Sequence, residues 1–251
     1  MTLGSVKEIY RYPVKSLRGE AMKWATIQAY GIEGDRMYAI NDLQRLGKFL
    51  TAREASELLG YEGQYKYAET NGVSNGEGII QVKTPSGAVL NWDDPILWKE
   101  LSQVCGRPLA GVKREPRKEP DPIRLEPIGS FEEEHLLITS DASLAAFQHI
   151  WGKSTDLRRF RTNLHLCLAD PEPFQEETWV GQRLAIGEVI VDIMKPCTRC
   201  VMTTIDPDTL QRDPSLHRTL VEKRKNHFGV YGRIVQAGRI QQGDAVNLLK
   251  A

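Results

Sequence analysis

Short apolar stretches, some alternating and some continuous, recur along most of this chain and are cut by glycine and proline turns. That spacing predicts strands. Residues 6–12 alternate and run into Pro13, which reads as a strand ending in a turn. Residues 21–29 and 37–40 read as strands around the turn-forming GIEGD, and residues 82–90 contain PSG, a hairpin turn. Further on, residues 135–139, 163–168, 228–235 and 245–249 read as strands. Residues 183–186 and 188–194 make a hairpin about Gly187. The AGRIQQGD segment before the last strand reads as turns. Residues 49–59 fit neither pattern cleanly, although Thr51 and Glu54 have the spacing of a capping box.

The helical period appears in fewer places. Asp94 can cap a helix that Pro95 begins, with Leu97, Leu101 and Val104 on one face and Gly106 as its stop. Residues 142–151 form a second helix, capped by Ser140 or Asp141. A third starts at Asp213 and Pro214 and runs to about Asn226, with Leu216, Leu220 and Val221 apolar. Strands outnumber helices and do not alternate strictly with them. The expected fold is therefore mainly β with peripheral helices, built around a β-barrel, and not a doubly wound nucleotide fold. The charged, proline-rich VKREPRKEPDP at residues 112–122 is the best linker candidate.

Composition narrows the function classes. The 251 residues carry 33 Lys+Arg against 33 Asp+Glu, a balance that argues against a dedicated nucleic-acid binder. No stretch of 18 apolar residues occurs, and the first ten residues are too short and polar for a signal peptide. The expectation is a soluble cytoplasmic protein that binds neither nucleic acid nor membrane. GxGxxG after a strand, GxxxxGK[ST], HExxH and GxSxG are all missing, which removes the commonest NAD, NTP, zinc-protease and esterase readings.

Candidate chemistry centres on the cysteines. Cys105 and Cys167 sit inside apolar runs and read as buried small hydrophobes. Cys197 and Cys200, in KPCTRCVMTT, have Lys195 before them and Arg199 between them, a setting that favours thiolates. The pair admits a redox dithiol, a zinc site lacking its second ligand pair, or a single thiolate on a higher-valent metal. Lys15 and Ser16 in a turn make a reasonable seat for an oxyanion. Arg36 enters a strand, and Arg158, Arg159 and Arg161 crowd around Phe160; they read equally as surface charge or as an anion site. Asp206 and Asp208 flank Pro207 and read first as turn formers.

Taken together, YPVKSLRG, GDRMYAI, FRTN and CTRCVMTTIDPDT resemble the MOSC family, in its amidoxime-reducing branch, along almost the whole chain. The resemblance implies an amino-terminal MOSC β-barrel-like region over residues 1–115 and a MOSC domain over 116–251. It also implies a molybdenum cofactor, molybdenum held by a pterin dithiolene, with Cys200 as the protein's metal ligand and Cys197 near the site. Lys15, Ser16, Arg36, Arg161 and Asn163 match the family's phosphate and pterin contacts, and Thr139 and Ser140 match less closely. The implied activity is reduction of N-hydroxylated small molecules by oxygen-atom transfer, with Arg199 adding positive potential at the pocket mouth. No fused ferredoxin or PLP-dependent domain is recognisable, so a separate electron donor is expected: a flavoprotein, ferredoxin or cytochrome. Because MOSC domains also resemble the carboxy-terminal part of molybdenum cofactor sulfurase, a sulfur carrier using a Cys200 persulfide is an alternative, as is a non-catalytic cofactor carrier.

Overall fold

The computed structural model describes residues 1–70, 73–114 and 134–249. Seven strands close a barrel, labelled in chain order β1 (Thr2–Arg11), β2 (Leu136–Ser140), β3 (Leu164–Leu168), β4 (Arg183–Ile186), β5 (Val189–Thr198), β6 (His227–Gln236) and β7 (Ala245–Leu249). Around the barrel they run β3-β2-β6-β5-β4-β7-β1, and β1 returns to pair with β3. Every neighbouring pair is antiparallel except β2 and β3, whose parallel pairing needs the crossover helix between them. Alternation along the staves sends Val6, Ile138, Leu166, Ile186, Val191 and Val230 into one apolar core. The mainly-β barrel with few peripheral helices is thus the observed fold class.

The three expected helices form: α1 (Pro95–Cys105), α2 (Asp141–Trp151) and α3 (Pro214–Arg224). Asp94 Oδ1 accepts from the Ile96 amide at 2.8 Å, and Gly106 takes a left-handed conformation, φ 66°, that ends α1. Ser140 caps α2 through the Ser143 amide, while Asp213 caps α3 through the Ser215 amide. Phe147, Phe160, Leu216, Leu220 and Phe228 pack into a small core where α2 and α3 meet the barrel wall.

A second large core gathers Val14, Leu17, Ile40, Leu58, Val82 and Leu97 from the amino-terminal half. It is walled by two three-stranded sheets, one of Tyr38–Asp42, Phe49–Leu50 and Leu109–Lys113, the other of Glu62–Thr70, Val73–Lys83 and Val89–Asn91. The two cores share chain. The strand β1 is a stave of a barrel whose other strands follow residue 134, and Ile205, from far beyond, is buried in the amino-terminal core.

Several local expectations change. Residues 21–29 are two strands, Glu20–Met22 and Trp24–Gln28, because Trp24–Gln28 leaves the barrel edge to pair with Gly238–Gln241. That partner is a strand where the sequence predicts turns: Arg239 and Gln241 are polar and exposed, and its only buried side chain is Ile240. Residues 49–59 hold the short strand Phe49–Leu50 and a 3-10 turn, Ser56–Gly60, rather than one element. Cys167 is exposed, not buried. With Leu164, Leu166 and Leu168 inward, the strand period turns it to the outer face. Cys105 is half-buried, and burial pushes its thiol pKa up. The first residues of the expected linker finish the strand Leu109–Lys113; from residue 115 it lies outside the described residues, as does the expected boundary at 115/116.

Candidate functional site

A pocket of about 110 Å³ opens beside the end of β5, where Thr198, Arg199 and Cys200 leave the barrel. Four arginines line it, Arg36, Arg159, Arg161 and Arg199, with Asn163, Cys200 and a single carboxylate, Glu134. Leu137, Phe160, Met202 and Tyr231 supply the apolar wall.

Each polar group arrives on a different element. The turn after Tyr12 is tied to the start of the next sheet: the Lys15 amide donates to Tyr38 O at 2.7 Å, and the Arg36 amide to Tyr12 O at 2.7 Å. Arg36 then reaches the barrel, donating to Asn163 Oδ1 at 3.1 Å and to the Arg161 carbonyl at 2.9 Å, with Asp35 as its ion-pair partner. Arg161 reaches back, donating to Leu17 O at 2.6 Å. The Tyr12 ring lies within cation–π reach of both, 4.7 Å from the Arg36 guanidinium carbon and 4.2 Å from that of Arg161. Burial pushes the Tyr12 pKa up to about 12, while Arg161 and Arg36 pull the other way. Asn163 has its amide committed to orienting this group, since Oδ1 also accepts from the Leu137 amide and Nδ2 donates to Tyr10 O.

Ser16, Arg36 and Arg161 all adopt left-handed backbone, with φ of 71°, 50° and 54°. For non-glycine residues that conformation is unfavourable and persists only where surrounding bonds enforce it. The hydroxyl of Ser16 is buried and has no hydrogen-bond partner among the described residues.

The cysteines part company. Cys200 is exposed at the pocket, at the start of the 3-10 turn Val201–Thr204. Cys197 is fully buried, its sulfur accepting from Arg199 Nη1 at 2.8 Å. Burial alone would depress the Arg199 pKa; the Cys197 sulfur beside it holds it above its ordinary value.

The remaining expected residues fall into two groups. Arg158 pairs with Asp156 and Asp208, and Arg159 with Asp206 at 2.7 Å, so the arginine cluster is partly opposed by acids. Amide hydrogen bonding from Thr209 holds the Asp206 carboxyl below its usual pKa. Asp206 therefore shapes the turn and serves as a counter-charge. Thr139 and Ser140 stay away from the pocket lining. Thr139 Oγ1 bonds Thr162 Oγ1 and His165 Nδ1, while Ser140 Oγ caps α2 and bonds Glu176. Sequence reasoning missed Tyr12, Glu134 and Tyr231. Tyr12 had a signal, its place in the YPVKS turn; the other two become visible only through pairing of distant strands.

A barrel with a cationic pocket and one accessible soft donor defines a class of site suited to an anionic cofactor and a thiolate-bound metal. Residues 121–247 match the model of the MOSC domain and residues 3–91 that of the MOSC N-terminal beta barrel domain; the chain belongs to the MOSC family. It is 26% identical over 291 residues to mitochondrial amidoxime-reducing component 1 of Homo sapiens, covering 98% of this chain and 83% of that protein. To mitochondrial amidoxime reducing component 2 of Bos taurus it is 25% identical, over 97% of this chain and 83% of the relative. Molybdenum cofactor sulfurase of Drosophila grimshawi is 26% identical over 95% of this chain, which spans 34% of that longer protein. Among solved structures, the YUAD protein from Bacillus subtilis superposes with a TM-score of 0.50, covering 98% of this chain and 94% of that chain at 12% identity, a likeness of fold alone. Family membership is consistent with a redox or sulfur-transfer function linked to the molybdenum cofactor.

The cytoplasmic expectation is corrected by the amidoxime-reducing relatives, which are named as mitochondrial. That expectation rests on the lack of long apolar runs and of a recognisable signal peptide, neither of which distinguishes compartments inside a cell. Among the described residues no helix is long and apolar enough to cross a membrane.

Proposed function

We propose that this protein is a molybdenum-cofactor-dependent oxidoreductase that reduces N-hydroxylated small molecules by oxygen-atom transfer. One observation carries the reading: Cys200 is an exposed thiol at the mouth of a pocket lined by four arginines. The residues fit such a group. Among the described residues no three His, Cys, Asp or Glu side chains gather to hold a bare metal ion, so a metal at Cys200 would bring its other ligands with it. Among the described residues Ser16 Oγ and Arg199 Nε are buried without partners, and leaving such groups unmet costs about 1–3 kcal/mol each. An anionic ligand would satisfy them.

In this reading Cys200 is the metal ligand. Arg36 and Arg161, which line the pocket, would hold the anionic tail of the cofactor, with Lys15 and Ser16 contributing from the neighbouring turn, and Asn163 would orient Arg36. When bound, the molybdenum cofactor supplies the two-electron chemistry of oxygen-atom transfer. The chain supplies placement and field. Arg199 presents positive charge beside Cys200, where it favours substrate groups that carry or develop negative charge. The apolar wall of Leu137, Phe160 and Met202 limits water around the reacting groups. Electrons come from a separate donor protein, a flavoprotein, ferredoxin or cytochrome.

Metal and pterin analysis of protein expressed with molybdenum available tests the assignment. Stoichiometric molybdenum and pterin should be retained in Cys197→Ser and lost or spectroscopically altered in Cys200→Ala. Zinc alone, or equal retention in Cys200→Ala, would refute it. Turnover of an amidoxime with a chemical reductant separates the reductase from the sulfurase-like reading, which requires a labile persulfide on Cys200 and a sulfur acceptor.

A further inference from the structure

The Cys-x-x-Cys spacing invites a redox pair, yet the two sulfurs have different surroundings. Cys197 lies within β5 and is completely buried; Cys200 is exposed. The Cys197 sulfur is spent on Arg199, accepting from Nη1 at 2.8 Å, with the Thr198 carbonyl 3.8 Å away as the thiol's own acceptor. Arg199 Nη2 donates to Phe160 O at 2.6 Å. The backbone of Arg199 is fixed as well. Its amide donates to Asn226 O at 2.8 Å, and its carbonyl accepts from Asn226 Nδ2 at 2.8 Å and His217 Nε2 at 3.2 Å. Among the described residues only Nε of the guanidinium is left buried without a partner, on a side chain that lines the Cys200 pocket.

A long arginine side chain has many rotamers, and its charge acts at one place only if something holds it. Phe160 O holds one end of the fork; without a second acceptor the guanidinium can pivot about that bond. The buried sulfur provides that second point, and does so from inside the barrel wall, where water cannot replace it. Packing alone would be served equally by valine at this position.

We propose that Cys197 is a positioning residue whose sulfur holds the Arg199 guanidinium against the Cys200 pocket, so that the pocket selects anionic ligand groups next to Cys200. The inference rests on the placement of Cys200 at that pocket, which the functional reading shares, but it needs no bound cofactor.

The test uses the purified full chain without cofactor. At fixed pH and low salt, Cys200 is alkylated with iodoacetate, which is anionic, and separately with iodoacetamide, which is neutral. Rates are read by mass spectrometry on the peptide bearing Cys200, so Cys105 and Cys167 do not contribute. Both reagents attack the same thiolate, so the ratio of their rates reports local potential and not the degree of ionisation. Arg199→Gln should lower the iodoacetate-to-iodoacetamide ratio by about fivefold. Cys197→Val, which keeps bulk and removes the acceptor, should move the ratio most of the way to that value. Cys197→Ser, whose hydroxyl can accept, should restore it, and raised salt should shrink all the differences. A wild-type ratio in folded Cys197→Val, or in Arg199→Gln, overturns the proposal. Circular dichroism checks the fold of each variant, and if Cys197→Val does not fold, Cys197→Ala provides the same comparison with the same deciding outcome. Loss of molybdenum binding with these ratios intact would count against the functional reading alone.

Discussion

Ser16, Arg36 and Arg161 share a left-handed backbone although none of them is glycine. Their side chains are what a glycine would lack: a buried hydroxyl and two guanidinium groups that clasp Tyr12. Ser16→Gly separates the two contributions. Removing Cβ relieves the backbone and should leave thermal stability unchanged or raise it by about 1 kcal/mol. Affinity for inorganic phosphate, measured by calorimetry, should fall several-fold because a buried donor is gone. Lower stability with unchanged phosphate binding would make the hydroxyl structural. At this scale the sequence reveals residue types more readily than their surroundings. Lys15 and Ser16 stand out as a cation and a hydroxyl in a turn, whereas Arg36 and Arg161 stand out as anion contacts only through the family resemblance. Their backbone conformation does not stand out, since it is imposed by contacts 125 residues away in sequence, such as that from Arg36 to the Arg161 carbonyl. Cys167 shows a simpler limit: an apolar run says that a strand is there, but the strand period decides which of its side chains turn outward.

Among the elements, the β2–α2–β3 unit shows how far periodicity carries. Its strands and helix are legible in apolar spacing, and its cap in Ser140. The short strand Gly238–Gln241 is not, because a polar edge strand is specified by its partner Trp24–Gln28 more than by its own residues. Two histidines on the barrel staves and their flanks carry a measurable consequence. Burial lowers the pKa of His135 to about 4 and that of His165 to about 4. His135 Nδ1 accepts from the Ile234 amide at 3.0 Å, and His165 Nδ1 meets Thr139 Oγ1 at 2.9 Å. The unfolded chain, with histidines near their ordinary value of about 6.5, binds more protons than the native state between pH 4 and 6.5. Their contribution is therefore complete above about pH 6.5 and lost as the pH falls towards 4, by an amount on the order of 3 kcal/mol for each histidine. Urea midpoints measured across this range should fall on acidification, and His165→Gln should flatten the slope. An unchanged slope would show that His165 titrates alike in both states.

Across the whole molecule, the two large cores hold each other's chain. The strand β1 closes the carboxy-terminal barrel, and Ile205, five residues past Cys200, is buried in the amino-terminal core together with the partly buried Met202 and Leu210. Arg212 donates to the carbonyls of Ala52 and Arg53 at 3.0 Å, reinforcing that crossing. Neither core can open without pulling chain from the other. Unfolding should accordingly be one transition when followed separately through Trp92 and Trp98 in the amino-terminal core and Trp179 in the barrel, using single-region Trp→Phe variants. Ile205→Ala should lower both signals together, by about 2–4 kcal/mol. Separate midpoints would show two independent units. Apolar patterning made the barrel class legible at this scale, and ordered motifs made the family legible. The interleaving was not, because no local pattern says which core an isoleucine will join.

The position of β1 also bears on how the protein comes into being. It pairs with β3 at Gly4–Leu168 and with β7 at Thr2–Asn247, so it is made well before either of these partners. Its Ile9–Arg11 end can pair early with Glu20–Met22, but its edges towards β3 and β7 stay open until those strands are made, an interval in which exposed strands are prone to wrong pairing. Barrel closure is thus timed by β7, and a nascent chain stalled before residue 245 would carry all the site's residues without a closed frame to hold them.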